Sequence, residues 1–153
     1  MSSINMEDEN DILPSSFVCP KGYLPSSVYL IRGLYKVGCG WQDSGDLKAA
    51  ERIYRFILNI KERNPLLNCA EFPQTMANLA SIQVSAGDYV IAERLYLRAI
   101  SSCVEILGEN HQICADILRD YAILLRHMQL TEEAHVLEHH ADAVHKLDLP
   151  VMI

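Results

Sequence analysis

The stretch "GDLKAAERIYRFIL" at residues 45–58 returns 42 residues later as "GDYVIAERLYLRAI" at 87–100, with six of fourteen positions identical. Gly, Asp, Ala, Glu, Arg and Tyr are kept, and nearly every other position exchanges one helix-compatible residue for another. A weaker copy, "QLTEEAHVLEHHAD" at 129–142, keeps Ala134, Leu137 and Ala141. A period of about 20 to 50 residues sustained over three units marks a solenoid, in which each unit is too small to bury its own apolar face and is stabilised by stacking on its neighbours.

Inside the second copy, Tyr89, Ala92, Leu95, Tyr96, Ala99, Ile100, Cys103, Ile106 and Leu107 recur at three- and four-residue spacing, the apolar stripe of an amphipathic helix. A second helix precedes it. Met76, Leu79, Ala80 and Gln83 map by the same offset onto Leu118, Tyr121, Ala122 and Leu125, and backward onto Leu34, Val37, Gly38 and Trp41. Each unit is therefore a helical hairpin. Gly45 and Gly87 suit left-handed helix C-caps, and Asp46, Asp88 and Thr131 are placed to cap the helices that follow.

Small residues at fixed offsets account for the packing. Gly38, Ala80 and Ala122 in the first helices, with Ala50, Ala92, Ala134, Ala99 and Ala141 in the second, let two backbones approach while Tyr54 and Tyr96 fill the space beyond. This pattern, met in "MANLA…AERLY" and "LYKVGCGW…AERIY", resembles the tetratricopeptide repeat over about residues 28 to 146. The usual unit of about 34 residues ends its second helix at a Pro, whereas Glu62, Val104 and Lys146 stand there in this chain. "ANLA" at 77–80 and "LGENH" at 107–111 are similar to the kinesin light chain subclass, and "PLLNC" at 65–69 matches loosely. HEAT and armadillo units fit a period of about 40 to 47 residues but do not require small residues at these offsets. The resemblance implies an all-α, right-handed superhelical solenoid of three tetratricopeptide-like hairpins at about 28–64, 71–107 and 112–146. An acidic flexible tail at 1–22 precedes the repeat domain (23–146), and an apolar tail at 147–153 follows it.

Composition narrows the function classes. No apolar run reaches the roughly 18 to 20 residues of a membrane span, and "MSSINMEDEN" is acidic where a secretory signal would be basic and then apolar. A cytoplasmic location without membrane insertion is expected. Of the net charge of −7, Glu7, Asp8, Glu9 and Asp11 carry four units, and the remaining −3 argues against a nucleic-acid partner. Cys19, Cys39, Cys69, Cys103 and Cys114 are odd in number and contain no closely spaced metal or redox pair, so they read as reduced, mostly structural thiols.

No Gly-x-Ser-x-Gly elbow, phosphate-binding Gly loop or dinucleotide fingerprint is present, and neither catalysis nor a cofactor is expected. His135 and His139 stand four apart, but Val136 occupies the position where a zinc peptidase needs Glu, so they read as an exposed polar face and no metal site is expected. His111 reads as part of the helix connector and Cys114 as packing.

The resemblance directs the first helices toward a concave groove, and their off-stripe residues become the candidates for holding a protein or peptide: Arg32, Lys36, Gln74, Asn78, Ser81, Arg119, Asp120 and Arg126. Asn offers both a donor and an acceptor to a peptide bond, and Arg or Lys offers charge-assisted bonds to a carboxylate. Asp120 argues against a full carboxylate clamp. No polar capping helix follows the third hairpin, and Leu147, Leu149, Val151, Met152 and Ile153 form an apolar cluster expected to contact a second copy or a larger complex, or else to fold back on the last helix. Adaptor and structural subunit of an assembly are the two functional classes that remain.

Overall fold

The computed structural model describes residues 24–147; the tail at 1–22 and the cluster at 149–153 lie outside them. Six helices follow in order: α1 (Leu24–Asp43), α2 (Leu47–Arg63), α3 (Glu71–Ala86), α4 (Tyr89–Leu107), α5 (Gln112–His127) and α6 (Thr131–Leu147). Together they form an all-α solenoid.

The turns inside the hairpins repeat the same backbone solution. Gly45 and Gly87 take φ of +88° and +84°, and Gln129, in register with them, takes +66° without the freedom of a glycine. Asp46 accepts a hydrogen bond from the Ala49 amide at 3.0 Å and so caps α2. Asp88 stands at the same place before α4 without a side-chain bond. His111 caps α5 instead, its Nδ1 accepting from the Ile113 amide at 3.1 Å.

Within a hairpin the helices meet at the small residues. Ala50, Ala92, Ala99, Ala134 and Ala141 are fully buried. A methyl group on Gly38 would lie 2.5 Å from the Tyr54 ring, so only glycine leaves room for that tyrosine. Between hairpins, α2 packs on α3 and α4 on α5. The first helices α1, α3 and α5 also touch in series, whereas α2, α4 and α6 do not meet one another. Closer spacing along one side than the other curves the stack, and the first helices lie on its inner side.

The two junctions between hairpins differ in chemistry. At α2–α3, Lys61 Nζ donates to the carbonyls of Pro65 and Leu67 at 2.7 and 2.8 Å and to Asn68 Oδ1 at 2.7 Å, while lying 5.5 Å from the centre of the Phe72 ring. At α4–α5, Cys103 and Cys114, in register with Lys61 and Phe72, are joined as a disulfide with Cα atoms 5.7 Å apart. This corrects the expectation of reduced thiols for these two. Their separation of eleven residues is no local metal or redox signature, but the short connector after Gly108 folds the start of α5 back onto the end of α4. Cys39 and Cys69 are free.

The last helix also departs from expectation. Tyr89, Glu93, Tyr96 and Cys103 of α4 face α5. The residues of α6 in the same register are Thr131, His135, Glu138 and His145, so α6 itself presents the polar outer face of a capping element.

Candidate functional site

The inner helices carry a ladder set by the 42-residue period. Arg32, Gln74 and Asp116 share one rung, Lys36, Asn78 and Asp120 the next, and Cys39, Ser81 and Ile123 a third. The side chains of Lys36, Gln74, Ser81 and Asp120 have no hydrogen-bond or ion-pair partner among the described residues, and Lys36 and Asp120 are exposed. The first two rungs run from basic on α1 through neutral on α3 to acidic on α5. Surrounding protein and the neighbouring Asp116 carboxylate push the Asp120 carboxyl above its ordinary range, as expected for an exposed group at the floor of a concave surface.

The other four candidates are engaged. Arg32 Nε donates to Glu71 Oε1 at 2.7 Å, tying α1 to α3; the second oxygen, Oε2, is buried without a hydrogen-bond partner. Burial, the largest single influence, would raise the Glu71 carboxyl, but the hydrogen bond and charge of Arg32 together with hydrogen bonds from its own amide and Cys69 hold the group below its ordinary value. Asn78 Nδ2 donates to the Tyr54 hydroxyl at 3.1 Å and the Tyr35 hydroxyl at 3.3 Å, with the Cys39 sulfur at 3.7 Å. Tyr54 in turn donates to Gln42 Oε1 at 2.8 Å. Burial pushes both phenols well above their usual values, so each stays protonated. Asn78 is thus a knot of three helices.

Arg119 and Arg126 turn to the C-terminal end of the stack. They stand in register with Ala77 and Val84, which pack against the cluster shared with the following hairpin. With no further hairpin among the described residues, Arg119 pairs with Asp116 and Asp142, each at 3.2 Å, and Arg126 forks onto Glu138 at 2.7 and 2.9 Å beside His135. His135 therefore belongs to a salt-bridge cluster; no group of metal-ligating side chains occurs among the described residues. Two features of the inner face escaped the sequence reading: Asp116, which the offset from Gln74 would have supplied, and the Tyr35–Tyr54–Gln42 cluster beneath Asn78, for which a single sequence holds no signal.

Leu147 is 70% exposed at the end of α6. No helix among the described residues is long and apolar enough to cross a membrane.

Comparison with known proteins accords with this geometry. A tetratricopeptide repeat family model matches residues 71–141. No curated protein matches the sequence. Among solved structures, BtubC (BKLC) from P. vanneervenii superposes with a TM-score of 0.73 at 19% identity, covering 83% of this chain and 50% of that one, a likeness of fold. The chain thus spans half the length of that structure. Over residues 71–141, just under half of the chain, the sequence is thus similar to the tetratricopeptide repeat family, and the repeat period and helical hairpins agree with that likeness.

Proposed function

We propose that the chain is a non-enzymatic adaptor that holds an extended peptide or protein segment along its inner face. Tetratricopeptide repeats generally mediate protein–protein interaction or scaffolding. The observation that carries the finer reading is the ladder of unpartnered polar side chains on helices that touch in series: Lys36 at one end, Gln74 and Ser81 in the middle and Asp120 at the other. An extended segment with acidic residues toward α1 and basic residues toward α5 complements that order. Arg32 and Asn78 contribute as supports, holding α1, α2 and α3 in place, with the Asn78 carbonyl free to accept from a peptide amide. Arg119 and Arg126 belong to the end of the stack.

Selecting random peptides on the immobilised protein tests this. Enriched sequences should carry separated acidic and basic positions, and Lys36→Glu or Asp120→Lys should each abolish their capture without lowering the melting temperature, because both side chains are exposed and unpaired. Asn78→Ala is the weaker probe, since it also breaks the Tyr54 hydrogen bond and lowers stability by about 1 kcal/mol. Capture indifferent to both charge reversals would sink the groove reading and leave the second one, a structural subunit that works through its ends.

A further inference from the structure

The repeat register shows what is unusual about α1. Tyr29, Val37 and Trp41 are 70%, 50% and 44% exposed. One period later the same positions are Glu71, Leu79 and Gln83, all buried; Leu79 lies in the core shared with α2, and Gln83 donates to Glu51 of α2. Two periods later, Tyr121 and Leu125 are buried in the core shared with α4. Gly33 and Gly40 belong to the same face, since their counterparts Thr75 and Ile82 are buried, yet among the described residues a methyl group on either glycine would meet nothing within 4 Å. The exposed stripe of α1 is therefore the face on which every later first helix receives the chain that precedes it.

We propose that the chain's own upstream segment, residues 12–23, lies along this face and caps the N-terminal end of the solenoid. Its length and attachment carry the choice. The segment joins α1 at Leu24, so it doubles back along the helix as α2 does along α3. Trp41 lies 17 residues into α1, about 26 Å from Leu24 at ~1.5 Å per residue, and an extended strand covers that in roughly eight residues. Phe17 and Val18 reach the level of Val37, while Ile12 and Leu13 have slack to reach Trp41. Pro14 and Pro20 disfavour a continuous helix and suit an extended strap.

The competing occupants fit less well. Among the described residues, Thr131, His135, Glu138 and His145 make the outer face of α6 polar, and it is partly tied up in ion pairs, so it offers a head-to-tail copy no apolar stripe to match that of α1. A two-fold pairing of α1 with itself would bring the exposed Lys36, beside the centre of the stripe, close to its own copy. Three half-exposed side chains also fall well short of the roughly 800 Å² per partner of a stable interface, whereas a tethered segment needs far less because its local concentration is high.

Trp41, the sole tryptophan, reports on the proposal directly. In the unmodified protein, at a concentration where light scattering gives a monomer, Trp41 emission should be blue-shifted and resist acrylamide. The variant Leu13→Ser/Phe17→Ser/Val18→Ser should lose that protection and shift to the red while keeping its helical circular dichroism. Quenching of the unmodified monomer equal to that of a free indole overturns the proposal and needs no variant. Protection that survives the triple substitution, or that appears only as light scattering rises, also overturns it and assigns the face to another occupant.

Discussion

The α2–α3 and α4–α5 junctions occupy the same register and are closed by different means. At the first, Lys61 holds the connector through three hydrogen bonds and lies over Phe72, and Glu71 anchors Arg32. At the second, Cys103 and Cys114 replace Lys61 and Phe72 with a covalent bond, and Ile113 replaces Glu71. A repeat fixes where two hairpins touch, and leaves open whether charge, ring or sulfur joins them. The first junction should therefore respond to pH and the second to redox conditions.

The largest expected effect is at the second junction. Replacing Cys103 by Ala, or reducing the protein, reopens a short loop and should cost about 2 to 4 kcal/mol, read from chemical denaturation with and without reductant. An unchanged midpoint would show that packing alone closes α4–α5. Non-reducing peptide mapping should recover the Cys103–Cys114 link, which also bears on compartment, since reducing interiors keep such pairs open.

At the first junction, Arg32→Met leaves a buried carboxylate without its cation and should lower the denaturation midpoint at neutral pH. The Glu71 carboxyl is held below its ordinary value in the folded protein, so its contribution is present in full above the unfolded carboxyl range. That contribution is lost as pH falls through the lower folded value. A denaturation series against pH should show the loss in the wild type and not in Arg32→Met; parallel curves would remove Glu71 as the cause. Lys61→Met keeps the aliphatic stem but loses the connector bonds and the ring contact, for about 1 to 2 kcal/mol, mostly in the first half of the molecule. Hydrogen exchange would place that loss, and an effect spread evenly over all helices would break the comparison. The smallest change is a gain: Gln129→Gly relieves the left-handed backbone and should stabilise the third hairpin by about 0.5 to 1 kcal/mol, seen as a slightly higher melting temperature.

The hairpins could be read from sequence because the period, the small residues and the turn at Gly45 and Gly87 are each local signals that agree. The third turn shows the limit, since Gln129 adopts the same conformation without being glycine. Candidate groove residues were legible as off-stripe positions, but not their employment. Arg126 meets Glu138 and Arg119 meets Asp142 only because α6 packs beside α5 at the end of the stack, and no periodicity encodes which off-stripe residue lies at an end. The disulfide escaped for a related reason: two cysteines eleven residues apart become neighbours only through the path of the connector between α4 and α5.

The cross-link between Cys103 and Cys114 also divides the molecule mechanically. Tension along the backbone passes from α4 to α5 through sulfur and bypasses the connector, so the second and third hairpins part from the rest as one body. Under load, or in the slowest fluctuations at rest, the chain should open from the α1 side. Amides of α1 and α2 should exchange first, and those of α4 and α5 should be released together in one late event.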